Sequence, residues 1–319
     1  MKTQTSSLEL SHFPVMLSEI IEICNPSKGG FFIDCTFGGG GYSKALLKFP
    51  RTRVVALDRD MSVKSIATNL EKNFKNRFKF YQSKFSELSK ILKENADTII
   101  FDLGLSSIQL NDLTRGFSFK SKDKLDMTMG LSNISAQEAV NNLSETNLRL
   151  IIKILGEERD ASRIAKNIVK ARLKKKITKA DELVQIIEKS KKKNYFKKIN
   201  PSTKTFQALR IFANKEISEL INGIICATKF LKPGGKIIIV SFHSIEDKIV
   251  KYFFNNFSMN KSKPSRYLPE SESDNFILFE KYTNKIIKPT TRELGVNNPS
   301  RSAKLRFAVR NKNKFIYPH

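Results

Sequence analysis

Residues 31–47 read FFIDCTFGGGGYSKALL. An apolar run ends on an acid, Asp34. Four glycines follow, Gly38 to Gly41, and then a stretch of helical periodicity through Leu47. Strand, glycine turn and helix in that order make the opening of a βα unit, with the glycines letting the backbone turn sharply. The same rhythm continues downstream. Strand patterns cover Phe31–Cys35, Arg53–Leu57, Phe78–Tyr81 and Asp97–Leu103, and helices cover Ser62–Asn73 and Glu87–Lys93. The last strand, DTIIFDL, is apolar through its centre, as a strand covered on both faces must be. Alternating strands and helices predict a doubly wound, mostly parallel, Rossmann-like α/β sheet. A short helix, Val15–Cys24, precedes it and stops at Asn25-Pro26.

The rhythm breaks after Leu103. Between 111 and 200 helical periodicity replaces strand patterns, over Ser135–Asn141, Glu145–Leu155, Glu157–Leu173 and Lys179–Lys189. This stretch also carries the densest basic runs, Lys174–Lys176 and Lys191–Lys193, with Lys197 and Lys198 after them. It is expected to be an all-helical insertion, so that residues 1–110 and 201–319 form one discontinuous domain and 111–200 a second. The α/β pattern then resumes with a long helix Thr205–Leu231, a turn at Pro233–Gly235 and the strand Lys236–Ser241. Asn275–Tyr282 and Ala303–Arg310 alternate like a β-hairpin around a polar loop. No internal repeat at solenoid periods is present.

Composition bounds the function. With 57 Lys+Arg against 31 Asp+Glu the formal net charge is +26. Such an excess favours a polyanionic partner through counterion release, although a lysine-rich proteome would produce the same surface. With 40% hydrophobic residues the 319-residue chain can bury a real core. No run approaches the roughly 20 apolar residues of a membrane span, and Met1–Ser11 lacks the apolar centre of a secretory signal. Cys24, Cys35 and Cys226 are scattered. They read as reduced thiols of a cytoplasmic protein, with neither a disulfide framework nor a metal site.

A parallel sheet binds ligands beyond the carboxyl ends of its strands, and four signals fall there. Asp34 and the loop holding Gly38, Gly40 and Gly41 follow the first strand. Asp58 closes the second, where an acid can accept hydrogen bonds from both hydroxyls of an adenosine ribose. Phe85 follows the third and is either an adenine-stacking ring or ordinary core. The segment Asp102 to Gln109, DLGLSSIQ, follows the fourth. The dinucleotide fingerprint G-x-G-x-x-G is not met: counted from Gly38 the sixth position is Ser43, and from Gly39 it is Lys44. The missing glycine and the opening acid suit S-adenosylmethionine, which has no pyrophosphate, better than a nicotinamide dinucleotide. A methyltransferase is the function these signals predict.

The motifs DCTFGGGGYS (34–43), ALDRD (56–60), DLGLSSIQL (102–110), RGFSF (115–119), LDMTM (125–129) and GEERDASRIA (156–165) follow one another along the chain. TFQALRI (205–211), LKPGGKIIIVSFHSIEDKIVK (231–251) and NPSRSAKLR (298–306) complete the series. Together they closely resemble the bacterial ribosomal RNA small subunit methyltransferase H family, which methylates cytosine N4. The resemblance implies S-adenosylmethionine contacts at Gly40, Gly41, Tyr42, Asp58, Phe85, Asp102 and Gln109. It also implies a cytidine substrate in the decoding region of 16S ribosomal RNA, within the small ribosomal subunit. Tyr42 stands where the family usually has histidine, and Asn200-Pro201 where it usually has His-Pro.

Cytosine N4 is a poor nucleophile, because its lone pair is delocalised into the ring. The expected catalytic work is to hold it in line and accept a hydrogen bond from it, with Asp102, Ser106 or Ser107 as the acceptor. His243 is either a contact to the splayed base or phosphate, or a structural histidine. Reaching N4 requires a base taken out of its stack. Arg159, Arg163, Lys166, Lys170 and Arg172 in the insertion are the expected RNA clamp, with Arg301, Lys304 and Arg306 near the C-terminus as further phosphate contacts. His12 and His319 are given no role. The rival readings are a NAD(P)-linked oxidoreductase, a catalytically silent RNA-binding assembly factor, and a methyltransferase of another RNA site. Monomer and homodimer both remain open.

Overall fold

A computed structural model describes residues 14–191, 200–258 and 277–315. Their packing divides the chain into two units. One ends at Gly104 and resumes at Glu219; the other runs from Leu105 to Ser218.

The first unit follows the sequence rhythm closely. It holds α1 (Leu17–Cys24), β1 (Gly30–Asp34), α2 (Gly41–Leu47), β2 (Thr52–Asp58), α3 (Lys64–Asn73), β3 (Phe78–Gln82), α4 (Leu88–Ile91) and β4 (Ala96–Asp102). The strands pair in the order β3-β2-β1-β4, all parallel. Ile99, Ile100 and Phe101 in the middle of β4 are fully buried, which explains their uninterrupted apolar run. Because β2 and β3 lie on one side of β1 and β4 on the other, the chain reverses its winding between β1 and β4. That is the switch point at which a parallel sheet opens a crevice.

The second unit contains α5 (Ser107–Asn111), α6 (Ala136–Asn142), α7 (Glu145–Leu155), α8 (Ala161–Arg172), α9 (Ala180–Ser190) and α10 (Thr203–Asn214). Among its described residues there is no strand, only an isolated bridge between Lys124 and Lys179. Its core gathers Leu148, Ile152, Ile164, Ile168, Leu183, Ile187 and Phe206 around the two motifs RGFSF and LDMTM. Those motifs lock to each other. Met127 donates its N–H to the Arg115 carbonyl at 2.9 Å, and the Arg115 guanidinium reaches the Thr128 carbonyl at 2.6 Å. Gly116, at φ +72°, lies so close to the Lys124 carbonyl that a Cβ would stand 2.2 Å from it. Buried Asn214 closes the arrangement, donating to the Met127 carbonyl and accepting the Met129 N–H.

The remaining elements are α11 (Glu216–Lys229), β5 (Leu231–Ser241), α12 (Ser244–Asn256), β6 (Phe279–Tyr282), α13 (Thr291–Val296) and β7 (Lys304–Arg310). β5 extends the sheet in parallel beside β4, while β7 and then β6 add to it antiparallel. The seven strands described make a mixed, mostly parallel sheet. No described helix is long and apolar enough to cross a membrane, and all three cysteines are buried and unpaired.

Four local readings differ. The expected helix Thr205–Leu231 is two helices, α10 and α11, broken at Lys215 with φ +52°. No glycine or proline marks this break; the side chains around it hold it, with Arg210 gripping Glu216 through two contacts of 2.8 Å. The Pro233–Gly235 turn lies inside β5, where the pairing register shifts against Ala96–Thr98 as a bulge. The expected helix from Glu157 starts only at Ala161, because Glu157 sits at φ +47° and buried Glu158 reaches across to Lys191 at 2.6 Å. The helical unit is wider than 111–200, since α5 and α10 pack with it. Lys192, Lys193, Lys197 and Lys198, the Asn275 end of the hairpin, the stretch 1–11, His12 and His319 lie outside the described residues.

Candidate active site

The carboxyl ends of β1, β2 and β4 bring three acids together. Asp34 is completely buried. One of its oxygens accepts the Ser43 hydroxyl at 2.7 Å, the other the Thr36 N–H at 3.3 Å. Burial pushes its carboxyl up to about 6, against the pull of the Ser43 hydrogen bond. Asp58 accepts the Gly38 N–H at 2.8 Å and the Asp60 N–H at 2.9 Å. Burial raises it to about 6 as well. Asp58 thereby joins the glycine loop after β1 to the end of β2.

Asp102 is the most perturbed. Its backbone N–H is held by the Thr36 hydroxyl at 2.7 Å, and its Oδ2 faces the Tyr42 hydroxyl at 3.2 Å. Its Oδ1 is buried with no hydrogen-bond partner. Burial pushes the carboxyl up to about 8; Tyr42 opposes the rise, and the charges of Asp34, Glu246 and Glu293 add to it. A buried carboxylate oxygen without a donor is costly, and such an atom at a switch point marks a place for a ligand's donor.

Gly40 caps α2 in the left-handed region at φ +74°, where a Cβ would meet the Phe37 ring at 2.8 Å. Gly41 then opens the helix, which carries Tyr42 and Ser43 back toward the acids. Tyr42 is buried, and its hydroxyl also meets the Val15 carbonyl at 2.6 Å. Phe85 is only half buried. It packs edge-on against Phe101 at 5.3 Å and against Gly223 of α11, so part of the ring belongs to the core. His243 caps α12, with Nδ1 accepting the Glu246 N–H at 3.4 Å. An accepting Nδ1 leaves the proton on Nε2, which lies 3.1 Å from the nearly buried Glu246. The ring thus meets its own helix terminus through Nδ1, while Nε2 makes no hydrogen bond.

The first unit thus gathers Asp34, Gly38, Gly40, Gly41, Tyr42, Asp58 and Asp102. Ser106, Ser107 and Gln109 belong to the second unit. There Ser106 and Gln109 form a reciprocal capping box at the start of α5, so the Ser106 hydroxyl accepts the Gln109 N–H at 3.3 Å. Sequence reasoning missed four partners, Thr36, Ser43, Glu246 and Glu293. The first two stand inside the quoted glycine motif. Glu293 gives no sequence signal, because only the fold carries α13 near the crevice of its own unit.

The basic candidates divide. In the second unit Arg159, Arg163, Lys166 and Lys170 are exposed, the last three at helical spacing opposite the buried Ile164, Ala165 and Ile168. Arg163 also pairs with Asp160. Arg172 is half buried and donates to the Val140 carbonyl at 2.7 Å, which ties helices together. Near the C-terminus Arg301 is exposed, while Lys304 lies 3.6 Å from Asp247. Arg306 is corrected outright as a phosphate contact. It is 5% exposed and clamps Asp247 at 2.7 Å while donating to the Asn284 carbonyl at 2.9 Å. Its donors are consumed inside the fold.

The sequence model of the MraW methylase family matches residues 9–311. A ribosomal RNA small subunit methyltransferase H from Ehrlichia canis is 45% identical, over 92% of this chain and 98% of its own. Another protein of that name, from Ehrlichia ruminantium, is 42% identical over the same shares of the two chains. A third, from Bartonella grahamii, is 42% identical over 94% of this chain and 89% of its own.

Proposed function

The chain belongs to the MraW methylase family, and from that premise we propose that it transfers the methyl group of S-adenosylmethionine to RNA of the small ribosomal subunit. The finer reading is methylation of the N4 amine of a cytidine in the decoding region of 16S ribosomal RNA. The observation that carries the chemistry is the buried, partnerless Asp102 Oδ1 beside Asp34 and Asp58. The names of the relatives, at 42–45% identity over most of the chain, support the RNA target.

The residues fit this cofactor. Bound S-adenosylmethionine supplies a methyl group on a cationic sulfonium centre. Asp34, Asp58 and Asp102, with Glu246 and Glu293 acting on Asp102, make a negative field that favours such a cation. The same acids would repel a pyrophosphate, which disfavours a nicotinamide dinucleotide. Each Asp58 oxygen has one backbone donor and a free lone pair, so this carboxylate would hold ribose hydroxyls. Gly38, Gly40 and Gly41 would let backbone approach the cofactor. Phe85, Tyr42 and Gln109 complete the proposed cofactor set.

Asp102 is proposed to accept a hydrogen bond from the target amine, holding its lone pair toward the methyl. An acceptor must be ionised or present a free lone pair, and Oδ1 presents one. Ser106 and Ser107 are the alternative acceptors. His243, whose ring already caps α12, is assigned to keeping that helix in place. Arg159, Arg163, Lys166 and Lys170 are proposed to hold RNA phosphates, with Arg301 and Lys304 as outlying contacts. Such a role in ribosome maturation supports a cytoplasmic location.

The test incubates purified protein and methyl-labelled S-adenosylmethionine with small ribosomal subunits that lack the modification, beside naked small-subunit RNA. Nucleosides are identified by mass spectrometry. Label in N4-methylcytidine is the expected result. Label in another nucleoside moves the target, and cofactor binding without label leaves a silent RNA binder.

A further inference from the structure

A phenol hydroxyl carries one proton, yet that of Tyr42 lies 2.6 Å from the Val15 carbonyl and 3.2 Å from Asp102 Oδ2. The Val15 carbonyl lies in a buried contact and Asp102 in a half-buried one, so the proton is shared between two demands. Val15 sits in the segment Pro14–Met16, which has a second tie to the same neighbourhood. Met16 donates its N–H to Glu293 Oε1 at 2.9 Å. Met16 is also fully buried and held at φ +53°, a conformation that needs its surroundings to maintain it.

We propose that Tyr42 is a positioning residue whose single hydroxyl proton couples the charge on Asp102 to the fastening of the Pro14–Met16 segment. The coupling rests on the reading of Asp102 as the acceptor in methyl transfer, and it gives that acceptor two states. When Asp102 is protonated, its own O–H donates to the phenol oxygen, and Tyr42 gives its proton to Val15. The phenol, Asp102 Oδ2 and the Val15 carbonyl are then all satisfied and the segment is fastened. When Asp102 loses its proton to water, carboxylate and phenol oxygen would face each other as two acceptors. The Tyr42 O–H therefore turns to Asp102, and the Val15 carbonyl loses its donor.

Burial, then the groups around Asp102, set which state prevails. Asp34 on β1, Glu246 on α12 and Glu293 on α13 all oppose its ionisation, while Tyr42 on α2 favours it. Burial and three acids against one hydroxyl hold the fastened state until a cation arrives. A cation entering the crevice reverses the balance: it ionises Asp102, draws the Tyr42 proton across and loosens Val15. The segment would thus be tight when the acceptor is idle and released when the acceptor is ready. Glu293 takes part at both points, since it accepts from Met16 and also disfavours charge on Asp102.

Two measurements on the full chain test this. Carboxyl-labelled aspartate is followed by carbon NMR through a pH titration, with the Asp102 signal assigned by its absence in Asp102→Asn. In Tyr42→Phe the Asp102 midpoint is expected to rise by roughly one pH unit, because the donor that stabilises the carboxylate is gone. An unmoved midpoint overturns the proposal. Independently, hydrogen exchange at residues 15–17 of the wild type, corrected for its intrinsic pH dependence, should lose protection by several-fold across the Asp102 titration. In Asp102→Asn that loss should vanish. Protection that ignores the Asp102 titration overturns the proposal even where Tyr42→Phe fails to fold. Neither readout needs turnover. A wild type without methyl transfer whose Asp102 midpoint still depends on Tyr42 would sink the functional reading and uphold the coupling.

Discussion

The backbone N–H of Gly38 donates to Asp58 Oδ2 across 2.8 Å. The loop after the first strand is therefore held by the acid that closes the second, and neither can move without the other. The proposed cofactor crevice rests on this cross-strand bond as much as on the glycines themselves.

Asp58→Ala should accordingly lose more than a ribose contact, since it also frees the Gly38 and Asp60 N–H groups. Hydrogen bonds to a charged group are worth about 1.5–3 kcal/mol, so S-adenosylmethionine affinity should fall roughly 10- to 100-fold. Isothermal titration calorimetry measures it directly. Unchanged affinity would remove Asp58 from the cofactor site.

Stability should fall as pH rises from 5 to about 8, in the absence of cofactor. Asp34 and Asp58 titrate near 6 and Asp102 near 8, all above the ordinary 3.8. Between the ordinary and the raised value the folded state holds a proton that the unfolded state has released, so unfolding becomes easier with each pH step. The upper limit is about 1.4 kcal/mol per pH unit for each group. Asp102→Asn, which never ionises, should flatten the part of the slope between pH 6 and 8 in urea denaturation. A slope identical to that of the wild type would contradict the buried-acid account.

Gly116→Ala should destabilise the helical unit by more than about 2 kcal/mol. The left-handed conformation alone costs an L-residue roughly 1–2 kcal/mol. The new Cβ would in addition stand 2.2 Å from the Lys124 carbonyl, a backbone atom that cannot swing aside. The melting temperature would show it, and an unaltered value would mean the RGFSF and LDMTM segments are not locked as described.

Arg306→Ala and the pair Lys166→Ala, Lys170→Ala should separate structure from binding. Removing the Arg306 guanidinium deprives Asp247 of its close partner and should cost about 3–5 kcal/mol of stability. The exposed lysines of α8 have no such partner to strand, so their removal should leave the melting temperature within a degree or two. It should instead weaken RNA binding and reduce the salt slope by about 0.7 per lysine for single-stranded RNA. Salt-dependent filter binding distinguishes the two classes. Equal loss of RNA affinity from all three, without loss of stability in Arg306→Ala, would reverse the assignment.

Much of this was readable without coordinates. Strands β1 to β4 and helices α6, α7 and α9 lie where the periodicity puts them, because apolar spacing records which side of an element is covered. The acids Asp34, Asp58 and Asp102 were legible for a related reason: they end buried strands, and the carboxyl ends of parallel strands are where a ligand must sit. The breaks that sequence missed follow no local rule. Nothing in residues 205–231 forbids one long helix, and Lys215 turns only because Asn214 and Glu216 find partners at Met127 and Arg210.

The sequence by itself therefore determined the mostly parallel sheet and the helices that flank it, since burial pattern is a property of short segments. Only the tertiary structure decided what the polar side chains do. Arg306 and Lys170 look alike in sequence, but one clamps an acid 59 residues away and the other meets solvent. Tyr42 became the bridge between Asp102 and Val15 for the same reason. A long polar side chain is equally at home in water or on a buried partner, and the choice rests on which distant residue the fold brings within reach.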